Sequence, residues 1–481
     1  AGDEKDLPAA DAGGMTVPQF PEGPGADGRR SAAGTWACAV ERDLTVWPRH
    51  RKDVPWTSKT FDNQAAPAWG GRGLPPREAQ TRPKGRAAPK AGKQKKKPSF
   101  FLRVILFLVA LAMVLGAVAA VAFRDVLNLD SIKRWFNYRA LMLSDSGQAE
   151  AFVYDGSLED TFAVLDGDLL VCSQNAISLY SGSGTQYVSQ PVSLENPVVD
   201  TNGSLAVVYD AGGSSLYVLG QRALIWSDSG LDGILSARLN HSGMLTVVTQ
   251  ASGYRGVVTV YNSAYEAVAS IQLSSAFVMD AALSDDGRTL AIVTIGQQNG
   301  AFSSNLVLYT LNSAQGTVGE SSSFTADLTA SLGGNVVLDL RHTDELVWTL
   351  GDQGLAITDH EGKSASANWS NQYLKLYDLS GDGFAAALLG KYRAGSQATL
   401  QVIDDTGTVK GSLDLNQQVL SLSAAGRYLA VLTGDRLDIY TSDLSLYSSL
   451  EGTQGARKVL LMEDGSAILI SEDSASFYVP G

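Results

Sequence analysis

The chain has 481 residues, is 44% hydrophobic and carries a formal net charge of −13, so it is long and apolar enough to bury a sizeable core. Residues 1–98 hold twelve of the fifteen prolines, and residues 125–481 carry 17 Lys+Arg against 39 Asp+Glu. Such an acidic C-terminal region excludes a phosphate-neutralising nucleic-acid surface, and two cysteines, Cys38 and Cys172, exclude a disulfide framework or a Cys-type metal site.

Residues 1–98 mix Gly, Pro, Ala, Arg and Lys without periodicity and read as a disordered cytoplasmic tail. Trp36, Trp47, Trp56 and Trp69 are its candidate anchors for a cytosolic partner. Near its end the run GRAAPKAGKQKKKPS places Lys93, Lys95, Lys96 and Lys97 to grip anionic lipid headgroups. Residues 99–124 contain the uncharged stretch from Val104 to Phe123. As a helix it would match the roughly 30 Å hydrocarbon core of a bilayer, which predicts one transmembrane helix. Cations crowd its N-terminal flank, and the positive-inside bias keeps the tail in the cytoplasm and exports the rest. Because the tail precedes it, the span reads as an uncleaved signal anchor of the cell membrane. That topology sets Cys38 and Cys172 on opposite sides. Ala112, Gly116 and Ala120 share one helix face, a small-xxx-small pattern open to two readings: a homodimer contact, or the small residues common in any span.

Residues 125–148 read as a juxtamembrane amphipathic helix and linker, with Leu129, Ile132, Trp135, Phe136 and Leu141 at helical spacing. Trp135, Phe136 and Tyr138 beside Lys133 and Arg134 suit the headgroup layer, and packing beneath an exported domain would use the same pattern.

From residue 149 the chain turns to short β-rich runs in which a turn followed by an apolar strand recurs eight times. The turns lie near Gly167, Gly203, Gly243, Gly287, Asp344, Gly383, Gly426 and Gly465; most are 36 to 44 residues apart, and a 57-residue interval before Asp344 implies an insertion. A unit of about 40 residues with some four short strands is a propeller blade, too small to bury its own faces alone. The fold class expected is all-β, an eight-bladed β-propeller over residues 149–481, with seven blades as the alternative. The last repeat lacks a strand, which residues 149–155 would supply to close the ring.

The stretches YDGSLEDTFAVLDGDLLV, VVYDAGGSSLYVL, TQASGYRGVVTVYNS and MDAALSDDGRTLAIVT resemble a family of bacterial single-span propeller proteins of unknown function. The resemblance runs from the span to the C-terminus. It implies an anchor followed by a propeller and supplies no catalytic residue.

The residues themselves offer little chemistry. His241, His342 and His360 are scattered and form no HxxxH or HExxH pair, so no metal site is expected. Asp378, Ser380 and Asp382 open like a calcium loop, but Leu389 stands where a bidentate Glu is required. Trp226, Trp348 and Trp369 lack the following Gly of quinone-cofactor propellers, and no GxSxG elbow occurs, so neither a cofactor nor an enzyme is expected. Loop length is more informative. The hairpins QASGYRGV, IGQQNGAFSSN and GKYRAGSQA are long, should share one rim and carry Tyr254, Arg255, Phe302, Tyr392 and Arg393, residue types that dominate interface hot spots. These five are the candidate binding residues, set against the plain reading of solvated hairpin tips. The function expected is a membrane-anchored binding or scaffold module for a protein, peptide or glycan at the cell envelope. An exported enzyme using the channel and a transmembrane signalling component are the alternatives.

Overall fold

The computed structural model describes residues 106–111, 113, 129–139, 141–298, 300–311 and 324–481. All belong to the second of two compact units, Lys96–Gly481. The expectations for residues 1–98, including Lys93, Lys95, Lys96 and Lys97, and for most of the run from Val104 to Phe123, including Gly116, lie outside the described residues. Residues 106–111 and 113 of that run are helical with exposed side chains, and no helix among the described residues is long and apolar enough to cross a membrane.

The repeats fold into eight four-stranded antiparallel sheets. Seven are simple meanders: blade 1 over 161–191, blade 2 over 197–228, blade 3 over 234–273, blade 4 over 277–333, blade 5 over 337–368, blade 6 over 373–415 and blade 7 over 421–451. The first strands of successive blades pack on one another around a central channel, so the first strand is the innermost. Every anchor turn read from the sequence joins the first strand of a blade to the second. In blade 1 it is Asp166-Gly167, with φ of 52° and 79°, the left-handed pair that a tight hairpin demands and that Asp-Gly tolerates. These turns are tied from blade to blade: Asp166 N–H donates to the Gly203 carbonyl, Asn202 Nδ2 to Asn240, Asn240 Nδ2 to Ser284, and Asp382 N–H to Gly426. The Asn and Asp of the repeat therefore stitch one rim as well as turning the chain.

The core is a set of seams. One apolar cluster fills each gap between neighbouring blades, eight in all. A middle strand thus faces apolar neighbours on both sides, which is why strands such as Asp168–Cys172, Phe384–Gly390 and Tyr428–Leu432 are buried throughout instead of alternating. Cys172 is one of these residues, fully buried in the seam between blades 1 and 2, where burial pushes its thiol pKa up.

Blade 8 closes the ring from both ends of the sequence. Lys458–Leu461, Ala467–Ile470 and Ser474–Tyr478 supply three strands, and Phe152–Val153 supplies the fourth, with Phe152 opposite Ala475 and Val153 opposite Ser474. Gln148 bridges Tyr478, and Ala149 N–H donates to the Phe477 carbonyl. Gly147 makes the approach: its φ is +83°, and a Cβ there would meet the Val479 carbonyl oxygen at 2.3 Å. The seam between blades 8 and 1 joins Leu169 and Val171 to Ile468, Ile470 and Phe477, with Tyr154 of the incoming strand among them.

This geometry predicts that a chain shortened to begin at Asp160, which loses Ala149, Phe152 and Tyr154 from the seam, melts several degrees below one that begins at Leu143. Burying one such aromatic side chain contributes about 2 to 3 kcal/mol, and thermal unfolding of the two chains by circular dichroism checks it. Equal melting temperatures would contradict closure by this strand.

Candidate functional site

The channel has two unlike mouths. On the rim of the anchor turns sits helix α1, Leu129–Tyr138, fixed by polar contacts. Arg134 is buried; it donates to the Asp464 carbonyl, to Tyr447 Oη at 2.8 Å and to Ser131 Oγ at 3.0 Å. One turn on, buried Tyr138 shares a hydrogen bond with Ser466 Oγ at 2.8 Å. Asp130 Oδ2 accepts from Arg427 Nη2 at 3.0 Å and Tyr428 Oη at 2.9 Å. The docked face is thus Asp130, Arg134 and Tyr138. Trp135 and Phe136, which the spacing alone groups with the apolar set, are 64% and 58% exposed and meet edge to face.

Behind α1 the channel opens into a cavity of about 960 Å³ whose lining includes Lys133, Tyr138, Arg238, Asp339 and Asp378. No local pattern in the chain announces its central feature. Arg238, on the innermost strand of blade 3, lies 2.6 Å from Asp280 of blade 4, 2.7 Å from Asp339 of blade 5 and 3.8 Å from Asp200 of blade 2. Burial alone would lower its pKa, and the three carboxylates together hold it well above the ordinary arginine value. Burial pushes Asp200 up to about 6 against the pull of Arg238 and of the Leu239 N–H. Converging channel carboxylates invite a catalytic reading, yet each is committed to the fold. Asp200 accepts from Leu239 N–H, Asp280 from Ala281 N–H, Asp339 from Leu340 N–H, and Asp378 from Ser380 and Ala424 N–H. Asp378, the first residue of the calcium-like turn, is thereby a tie between blades 6 and 7.

The three propeller histidines are less scattered than their spacing implies. His342 and His360 both belong to blade 5, and their Nε2 atoms lie 3.0 Å apart. His342 is buried, and its Nδ1 lies 3.0 Å from the Ala282 carbonyl of blade 4. That network assigns the proton to Nδ1 and leaves Nε2 to accept from His360. Burial pushes the His342 pKa down to about 4. Among the described residues no three His, Cys, Asp or Glu side chains are grouped to hold a metal ion.

The opposite rim carries the five candidate residues. Tyr254 and Arg255 lie on the hairpin between the second and third strands of blade 3, Phe302 on that of blade 4, and Tyr392 and Arg393 on that of blade 6. They share one rim, as their positions in the repeat require. Two details differ from the sequence reading. The blade 4 hairpin is long because its strands, Thr289–Gln298 and Ala301–Thr310, have ten residues each. The flanking strands end their pairing at Ile295 and Ser304, so residues 296–298 and 301–303 stand about 10 Å beyond the blade at the usual rise. The blade 2 hairpin, residues 211–215, is also extended, but it is tied down by bonds to Asn196, Ile234 and Leu231.

Both Tyr-Arg pairs meet an aromatic platform at the start of an innermost strand. The Arg255 guanidinium carbon lies 4.4 Å from the ring centre of Phe277, and that of Arg393 lies 5.6 Å from the ring centre of Tyr373. Backbone bonds from Arg255 to Leu273 and from Val278 to Arg255 fix the first hairpin, and Lys375 Nζ fixes the second by donating to the Gly395 carbonyl at 2.6 Å. Leu338, Tyr373 and Arg393 line one groove of about 710 Å³. Tyr254 of blade 3 and Phe277, Met279, Phe302, Leu338 and Tyr392 of blades 4 to 6 are exposed here, an apolar crescent that the sequence marked only at its hairpin tips. Charge divides the rim in the same way. Blades 3 to 6 present Arg255, Lys375, Lys391 and Arg393 with the acids Asp352 and Asp414, whereas the remaining connections of this rim hold Asp155, Glu159, Asp160, Glu195, Asp232, Asp435, Glu472 and Asp473 with Arg457.

The profile of a family of unknown function, DUF5711, matches residues 150–477. No curated protein matches the chain. Among solved structures, the C-terminal WD40 domain of Sif2 is similar at 14% identity and a TM-score of 0.46, covering 69% of this chain and 100% of that one. The dihydro-heme d1 dehydrogenase NirN is similar at 11% identity and a TM-score of 0.44, covering 66% of this chain and 69% of that one. AztD from Citrobacter koseri is similar at 10% identity and a TM-score of 0.41, covering 65% and 90%. Likenesses this remote carry no argument about ligand or activity.

The buried histidine sets a pH dependence. As pH falls from about 6.5 towards 4, the unfolded chain takes up a proton that folded, neutral His342 refuses, so up to ~3 kcal/mol of stability is lost across that window. Asp200, raised to about 6, works in the opposite sense over part of it, which makes a difference measurement necessary. The gap in melting temperature between the wild type and His342→Asn should be wide near pH 8 and shrink towards pH 4.5. A gap independent of pH would contradict a neutral buried His342.

Proposed function

This chain belongs to the DUF5711 family of unknown function, and because that membership brings no activity with it, we propose from its own surface that the chain is a membrane-anchored binding or scaffold module whose ligand sits on the hairpin rim of blades 3 to 6. The observation that carries this reading is the exposed crescent itself. Aromatic and arginine side chains are enriched where partners bind, and contiguous apolar surface rimmed by polar groups marks an interaction site. The projecting part of the blade 4 hairpin and the two Tyr-Arg hairpins add surface that a stable blade does not need, since a two-residue turn closes such a pair.

The geometry of α1 supports the anchored half of the proposal. The uncharged run from Val104 to Phe123 precedes α1 by a few residues, and α1 docks on the rim opposite the crescent. Anchoring through that run, with Val104, Gly116 and Phe123 in the bilayer and Trp135 at its surface, turns the anchor-turn rim towards the membrane and the crescent away from it. The propeller is then extracytoplasmic in a bacterial envelope, the basic Lys93–Lys97 segment lies against anionic headgroups inside, and pairing of two chains through the small-residue face is compatible with this arrangement. We read the chain as non-enzymatic, because the channel carboxylates that would serve catalysis are held by Arg238 and by backbone N–H groups.

Replacing Tyr254, Arg255, Phe302, Tyr392 and Arg393 together by Ala should abolish capture of the partner by the intact protein crosslinked in its native membrane. Thermal stability should change little, since exposed side chains outside special features contribute within about 0.5 kcal/mol each. Retained capture with unchanged stability would move the binding face to the other rim or the channel, and a large fall in melting temperature would mean that these side chains are packed.

A further inference from the structure

The arginines of the ring differ in what they touch. Arg222, Arg238, Arg288, Arg427 and Arg436 each lie against a carboxylate, and Arg341 and Arg457 donate to backbone carbonyls. Arg255 and Arg393 do neither among the described residues; each lies over one aromatic ring. In a region with 39 acids against 17 bases, two arginines left without an acid are set apart by their surroundings, and no acid stands on their hairpins. Stacking restrains the guanidinium without using its N–H edge. A fork so placed matches the two oxygens of a carboxylate, and its geometry is already paid for by the platform ring.

We propose that the crescent takes an extended acidic segment of a partner protein, with carboxylate side chains at the Arg255 and Arg393 seats and apolar side chains between them. This rests on the hairpin rim being the binding face and adds the class of ligand. Three observations select a peptide of that character. Phe277, Leu338 and Phe302 offer apolar area that an anionic glycan would leave uncovered. Gln372 and Gln418 line the groove and suit a peptide backbone, which presents one donor and one acceptor per residue. The acidic connections of the remaining blades would repel such a segment, so charge confines it to blades 3 to 6 and fixes its register.

The test is a random dodecapeptide library panned on the full chain in lipid nanodiscs. Enriched sequences should be rich in Asp and Glu with interspersed apolar residues, and their binding should weaken as salt rises. Each of Arg255→Gln and Arg393→Gln should reduce affinity about tenfold or more. Arg255→Lys and Arg393→Lys, which keep the charge and lose the fork, should fall between, with melting temperatures unchanged throughout. Enrichment of neutral or basic sequences, or acidic sequences that bind the Gln variants as well as the wild type, would overturn the proposal. So would dextran sulfate binding that the Gln variants lose while no peptide is enriched, which would assign the seats to an anionic glycan. If the peptide test fails while the five-alanine variant still loses its partner in cells, the rim stands and only the ligand class falls.

Discussion

Ring closure is the constraint on which the structure depends. No blade can bury its two faces alone, so each seam stabilises two blades, and the ring is secure only if the last seam is as complete as the others. Here it is completed by a two-residue strand, Phe152–Val153, and by the approach of Gly147 to Val479. The strand is short, but it brings Phe152 against Tyr180 and Phe477 and the following Tyr154 against Phe162, so its contribution lies more in aromatic packing than in its ladder bonds. Each blade keeps only its short outermost strand as an edge, and with all eight seams filled the ring is closed. Its two rims therefore face opposite ways.

That separation gives the surface its meaning. One rim is stitched by turn-to-turn hydrogen bonds and occupied by α1, whose buried Arg134 reaches the last anchor turn at Asp464. The other bears hairpins that vary in length and composition and carry the exposed aromatic and cationic side chains. Between them Arg238, part-buried at the channel wall, holds blades 2 to 5 together through three aspartates. The channel is thus a structural keystone for the blades beneath the crescent, and a rigid base lets hairpins present side chains without a large ordering penalty on binding.

The repeat architecture was legible because each unit repeats the same local chemistry. Gly167, Gly203, Gly243, Gly287, Gly383, Gly426 and Gly465 all take positive φ at equivalent turns, and the strand that follows is apolar because both its faces are seams. The closing strand was legible from what the last repeat lacked. What stayed hidden depends on contacts between blades, which no local pattern records. Arg238 and its aspartates come from four repeats; His342 and His360 are separated by a hairpin; Phe277, Leu338 and Tyr373 look like ordinary strand residues until neighbouring hairpins frame them. The docked face of α1 stayed hidden for a different reason. Apolar periodicity marks what avoids water, and this helix attaches through Asp130, Arg134 and Tyr138 while turning Trp135 and Phe136 outward.

On the proposed reading the two rims face different partners, lipid on the α1 side and protein on the hairpin side. Site-specific photocrosslinking in intact cells tests it most directly, with a photoreactive phenylalanine analogue placed at Phe302 or at Trp135 of the full chain. A protein adduct from position 302 and a lipid adduct from position 135 are expected. A protein adduct from position 135 with none from position 302 would contradict it.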